Sequence, residues 1–169
     1  EVNDYTTEIK NPDNNKAFII TNKHTPETTT IRVTKKWEDN SNQDNKRPEK
    51  ITVKLKATVR ENGASKDVTN KITALTGNNG SERTISGDLK VANWNPIEWT
   101  DLPVYMDGKQ ISYSVEEKSI PDYTSEITEP KYNETDKIYE VTITNTHKAD
   151  LVSKTAIKVW HDDSDRDGK

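Results

Sequence analysis

The 169-residue chain has no cysteine, which excludes disulfides and thiolate metal sites. Its formal net charge is −4, with Lys and Glu interspersed and no basic stripe, which argues against nucleic acid as a partner. Leu, Ile, Val and Phe supply 31 of the 169 residues, enough for a thin core only, and no stretch is long and apolar enough for a membrane span.

In chain order, Asp4-Tyr5-Thr6-Thr7-Glu8-Ile9 and Ile20-Thr21-Asn22 precede a short linker, Thr25-Pro26-Glu27-Thr28-Thr29. Alternation at period two then predicts a strand that places Ile31, Val33, Lys35 and Trp37 on one face. A second strand shares Ile51, Val53, Leu55, Ala57 and Val59, and weaker strands are predicted at 69–75, 82–91 and 96–100. Ile111, Tyr113, Val115 and Glu117 line a third strong strand, and Tyr139, Val141, Ile143 and Asn145 a fourth. Gly77-Asn78-Asn79-Gly80 and Asp107-Gly108 are turn signals. Short strands at this spacing predict an all-β, Greek-key β-sandwich, whose alternating faces argue against disorder.

Lys35, Glu117 and Asn145 each sit on a stripe that should be buried, and pleat geometry prevents them from turning outward without turning their apolar neighbours too. Burial disfavours charge, shifting a buried lysine or glutamate by roughly 3–5 units when desolvation is complete. The expectation is a free amine at Lys35, a nucleophile, and a neutral acid at Glu117 that polarises the Asn145 carboxamide. Attack by the amine expels ammonia, Glu117 shuttles the protons, and an uncharged amide joins Lys35 to Asn145. Glu116 is the competing acid, but it falls on the opposite face unless a bulge exchanges the two.

The chain also repeats itself. Asp4-Tyr5-Thr6-Thr7-Glu8-Ile9 returns as Asp122-Tyr123-Thr124-Ser125-Glu126-Ile127, and Ile20-Thr21-Asn22 as Ile143-Thr144-Asn145, with His24 and His147 two residues beyond. Asn22 to Asn145, Lys35 to Lys158 and Trp37 to Trp160 are each 123 positions apart, whereas the Asp-Tyr match is offset by 118, so a loop is five residues longer in the second copy. The organisation expected is the C-terminal part of one module at 1–25, a complete module at 26–147, and a linker with the first strand of a third module at 148–169. Asn22 and Lys158 occupy the bond-forming positions of the partial modules, with their own partners outside this chain.

The run from Trp37-Glu38-Asp39 to Lys46-Arg47-Pro48 resembles the W-x-D…D-G-K-R-P signature of collagen-adhesin B-type (Cna-B) repeats. Asp101-Leu102-Pro103-Val104-Tyr105, Tyr113-Ser114-Val115-Glu116-Glu117 and Ile143-Thr144-Asn145 are similar to that repeat's later blocks, in the same order. Asn45 stands where Gly is usual, and the segment from Thr58 to Asn93 is longer than in compact repeats. The resemblance implies a transthyretin-like or inverse immunoglobulin-like sandwich with an intramolecular Lys–Asn isopeptide bond, for which motif position selects Lys35 and Asn145 with Glu117 as the assisting acid. It implies a structural spacer in a Gram-positive, extracellular, wall-anchored adhesin: a monomer whose partners are neighbouring modules, with host matrix protein engaged through other domains, and with no turnover enzyme activity and no cofactor. The alternative is a module that itself binds a host matrix protein.

Asp163-Ser164-Asp165-Arg166-Asp167-Gly168 matches the first positions of an EF-hand loop, but the aligned run Asn40 to Asn45 has lost most of its charge, so a solvated turn is the expectation over calcium. No metal constellation surrounds His24 or His147 in the sequence. Trp37, Trp94 and Trp99 could serve as sugar-stacking platforms only if exposed, and Trp37 lies on the core stripe.

Overall fold

The computed structural model describes residues 4–12, 17–76, 80–161 and 164–168. The expected turn at Gly77 to Asn79 and the acidic position Asp163 lie outside them. Strands β1 (Thr6–Lys10) and β2 (Ile19–Lys23) pair as an antiparallel two-stranded sheet. There follow β3 (Thr28–Glu38), β4 (Lys50–Glu61), β5 (Ala64–Asp67), helix α1 (Thr69–Thr76), β6 (Glu82–Ser86), β7 (Asn93–Pro103), β8 (Tyr105–Met106), β9 (Lys109–Glu117), β10 (Thr124–Ile127), β11 (Lys131–Asn133) and β12 (Ile138–Thr146).

These ten strands form two five-stranded sheets. One has the order β10-β12-β3-β7, with β11 also on β12; the other has the order β5-β4-β9-β8, with β6 also on β4. The chain crosses between the sheets at β3–β4, β6–β7, β7–β8 and β9–β10, so the inward stripes of both meet in one core. That core holds Ile31, Val33 and Trp37 from β3, the alternate residues Ile51, Val53, Leu55, Ala57 and Val59 from β4, and Val141 and Ile143 from β12. Each such fully buried aliphatic side chain contributes about 1.5–3 kcal/mol through removal of its surface from water. The fold is an all-β sandwich in which the first strand of the body, β3, lies parallel and hydrogen-bonded to the last, β12.

The repeat seen in the sequence is also a repeat of register. In the β1–β2 sheet Thr6 faces Lys23, Thr7 faces Asn22 and Ile9 faces Ile20. In the β10–β12 pair Thr124 faces Thr146, Ser125 faces Asn145 and Ile127 faces Ile143. The five extra residues fall between the paired strands, where a longer connection leaves their register unchanged.

Three weak strands need correction. The segment 69–75 is helix α1, not a strand: Val68 and Ile72 are both buried, four residues apart on one helical face, and Asp67 Oδ1 accepts the Thr69 backbone N–H at 2.8 Å at its start. The strand expected at 82–91 stops at Ser86, because the chain then turns over Trp94; a Cβ on Gly87 would lie 2.5 Å from that indole, whose Nε1 donates to the Asp88 carbonyl at 2.9 Å. The strand expected at 96–100 runs from Asn93 to Pro103, with a register shift opposite the Val33-to-Lys35 step that absorbs Pro96. Near the C-terminus, residues 147–161 form no strand, so the one expected around Lys158 to Trp160 is absent, and Val159 and Trp160 are exposed. A lone strand leaves both rows of backbone groups unpaired and buries no face, so nothing holds it extended.

The turn after β3 is mostly exposed but folds around one buried residue, Asn42. Asn40, Ser41, Asn42 and Asn45 all have left-handed φ, at 51°, 58°, 59° and 54°, a conformation that Asn tolerates better than most residues. Asn45, standing where glycine is usual, therefore keeps the turn. Asn42 is buried and accepts the Arg47 N–H at 2.9 Å, while its own N–H donates to Asp39 Oδ1 at 3.0 Å. The stretch 164–168, by contrast, is an exposed turn.

Candidate functional site

The parallel pairing of β12 with β3 sets Ile143 beside Lys35 and Asn145 beside Trp37. Lys35 and Asn145 thus share the inward face of adjacent strands, two residues apart along their length, a spacing of about 6.6 Å that a lysine stem spans. Both residues are 0% exposed. Glu117 arrives from the opposite sheet at the end of β9, where it pairs with Val53 of β4, and its side chain is 1% exposed.

Its carboxylate connects the other two. Glu117 Oε1 lies 3.5 Å from Lys35 Nζ and accepts a hydrogen bond from Asn145 Nδ2 at 3.1 Å. Lys35 Nζ also donates to its neighbour's carbonyl, Lys36 O, at 3.3 Å and sits 4.2 Å from the centre of the Trp37 ring. Asn145 Oδ1 is buried without a hydrogen-bond partner among the described residues. Burial pushes the Lys35 ammonium down to about 8, with Glu117 opposing the shift and the positive charge of Arg47 adding to it. An amine so placed is deprotonated in a useful fraction of molecules near neutral pH. Glu116 points the other way, exposed on the outer face of β9.

Sequence reasoning quoted Asp39 and Arg47 as motif residues but gave them no task. They form a buried ion pair beside the site: Arg47 Nε donates to Asp39 Oδ2 at 2.9 Å, Nη2 to Asp39 Oδ1, and Nη1 to the Val91 carbonyl at 2.7 Å. Tyr123 donates its hydroxyl to Asp39 Oδ2 at 2.8 Å. Burial pushes the Asp39 carboxyl up, but Arg47, the Asn42 N–H and Tyr123 outweigh it and hold the group below its usual range. Trp37 is the floor between the two charged groups. Its ring meets Trp94 and Tyr123 edge-on with centroids 5.1 Å apart in each case, and Arg47 Cζ lies 5.0 Å from its centre. The available signal was an arginine and an aspartate flanking an Asn-rich turn after a core tryptophan.

Other predicted positions fall elsewhere. Asn22 in β2 is exposed and accepts from Thr7 Oγ1 at 2.8 Å, and Lys158 is exposed with Nζ 3.4 Å from the Trp160 ring centre. The structure does not bring either to the central site. Trp37, Trp94 and Trp99 are 2%, 3% and 0% exposed, so they present no stacking platform. His147 packs on Tyr123, and its ring nitrogens lie 2.7 Å from the Asp122 carbonyl and 3.1 Å from Asp44 Oδ2, while His24 packs on Tyr5 at the matching place.

The family model for the Cna protein B-type domain matches residues 31–146. A "Collagen adhesin" of Staphylococcus aureus is 38% identical across all 169 residues, which span 11% of that protein's length. Among solved structures, a single B repeat unit of the collagen-binding surface protein of Staphylococcus aureus is 30% identical with a TM-score of 0.49, covering 88% of this chain and 63% of that one. A pilus adhesin of Lactobacillus rhamnosus GG is 19% identical with a TM-score of 0.44, covering 84% and 16%. With a family match over most of its length, the chain belongs to the Cna protein B-type domain family.

Proposed function

We propose that the body of this chain is a structural spacer of an extracellular surface adhesin, and that it ties its first strand to its last through a self-formed amide between Lys35 and Asn145. One observation carries the reading: a single carboxylate oxygen, Glu117 Oε1, faces both the amine and the carboxamide nitrogen in a site closed to water. Desolvation favours the neutral pair over separated charges, so reaction is easier than storage of a buried ammonium.

The neutral Lys35 Nζ attacks Asn145 Cγ and the Nζ–Cγ bond forms. Glu117 takes the proton released from Nζ and delivers one to Nδ2, the Cγ–Nδ2 bond breaks, and ammonia leaves. Glu117 is regenerated, and the product is a secondary amide. The reaction occurs once per molecule, so the module does not turn over. Adhesion to collagen, which the name of its Staphylococcus relative states for that protein, belongs on this reading to other domains of the parent molecule.

The intact mass of folded protein tests this. The expected mass is the sequence value less one ammonia, and Lys35→Ala and Glu117→Ala each restore the full value. Well-folded wild-type protein at full sequence mass refutes the bond.

A further inference from the structure

We infer that Ser125 is a positioning residue that sets the Glu117 carboxylate for bond formation, an inference that rests on the proposed Lys35–Asn145 amide. The two oxygens of Glu117 are used differently. Oε1 faces Lys35 Nζ and Asn145 Nδ2, and Oε2 accepts a hydrogen bond from Ser125 Oγ at 2.8 Å. The last torsion of a glutamate is broad, so contacts at Oε1 alone let the carboxylate plane rotate, and a second hold at Oε2 fixes it against the two nitrogens. Ser125 comes from β10, directly opposite Asn145 in the antiparallel register. The hydroxyl therefore approaches from the same strand pair that carries the reacting carboxamide. Ser125 itself is exposed while the Glu117 side chain is 1% exposed, which makes this hydroxyl the group between the acid and solvent.

The repeat supplies an independent observation. In the β1–β2 sheet, Thr7 stands opposite Asn22 as Ser125 stands opposite Asn145. The Thr7 hydroxyl donates to Asn22 Oδ1 at 2.8 Å in an exposed contact. Both copies thus place a hydroxyl residue opposite the asparagine in the same register; Thr7 bonds the asparagine itself, whereas Ser125 bonds the carboxylate that faces it.

The test compares Ser125→Thr with Ser125→Val, two side chains of the same shape that differ in the hydroxyl. Each full-length chain is released from cell-free synthesis, quenched at intervals in acid and denaturant, and scored by intact mass for the fraction that has lost ammonia. A hydrogen bond to a carboxylate corresponds to a rate factor of about ten, so the Val chain is expected to react about tenfold more slowly than wild type and the Thr chain at nearly the wild-type rate. The same substitutions in a Lys35→Ala background, which cannot react, are expected to leave both the Thr and Val forms fully folded at the assay temperature, their midpoints differing by no more than about 5–10 °C, which separates positioning from folding. Equal rates for Thr and Val, or a midpoint difference large enough to explain the slowing, overturns the role of Ser125. A wild-type chain that never loses ammonia overturns the bond itself, a failure that the unsubstituted arm reports separately.

Discussion

Replacing Asn145 with Ala removes the electrophile and leaves Lys35, Glu117 and the strand pairing in place. On the proposed mechanism the substituted protein keeps its full sequence mass and loses the cross-link. The residues joined are 110 positions apart; treated like a disulfide, closing such a loop removes about 4–5 kcal/mol of unfolded-state freedom. For a body of this size that corresponds to a fall in thermal midpoint of about 15–20 °C, read by calorimetry. The loss also depends on pH. In the unreacted protein Lys35 has a folded pKa of about 8 against an ordinary 10.5. Between those values the unfolded chain binds more protons, so stability rises as pH increases from about 8 toward 10.5. Wild type holds an uncharged amide there and lacks this term, so the gap between the two proteins narrows by about 3 kcal/mol across that window. A substituted protein within a few degrees of wild type at neutral pH, with a gap constant to pH 10, refutes both the cross-link and the buried amine.

Two further substitutions probe the surroundings of the site. Arg47→Met leaves the Asp39 carboxylate buried without its ion-pair partner, and the expected loss is about 3–5 kcal/mol by urea unfolding; a loss below 1 kcal/mol means that Tyr123 and Asn42 suffice. The His147 imidazole is held above its ordinary 6.5, first by the Asp122 carbonyl and, against some desolvation, by Asp44 and Asp150. Its contribution is therefore fully present below about pH 6.5 and lost as pH rises through the folded value. The difference in midpoint between wild type and His147→Gln is expected to be largest at pH 5 and to shrink toward pH 8, and a difference independent of pH refutes that linkage.

The strong strands were legible because each keeps one apolar stripe at period two, and Lys35, Glu117 and Asn145 stood out by breaking those stripes. The helix was hidden by its shortness: in its eight residues Ile72 and Ala74 satisfy alternation, and the helical face shows only when Ile72 is paired with Val68, just before its start. The end of β6 was hidden because the need for Gly87 comes from Trp94, seven residues on, and local pattern carries no such contact. The Asp39–Arg47 pair was hidden for a related reason. Its geometry depends on a run of left-handed residues that bends the turn back over Trp37, and composition alone reads such an Asn-rich stretch as solvated. Ser125 gave the weakest signal, a polar residue in a polar edge strand, distinguished only by its match to Thr7.

The placement of the triad also explains how a thin core can serve a spacer. The chain enters the body at Thr28, at the start of β3, and leaves after Thr146, at the end of β12, and the two strands run parallel side by side. Tension applied at those points loads their ladder in shear, which the hydrogen bonds between them resist together. With an amide between Lys35 and Asn145, the covalent path runs up β3 to Lys35, across to Asn145, and out one residue later. Residues 36 to 144, which include helix α1, the long 58–93 segment and most of the core, then lie off that path. Under this arrangement the core need only hold the triad together long enough to react, and the bond, formed near the exit of the last strand, carries the tension thereafter.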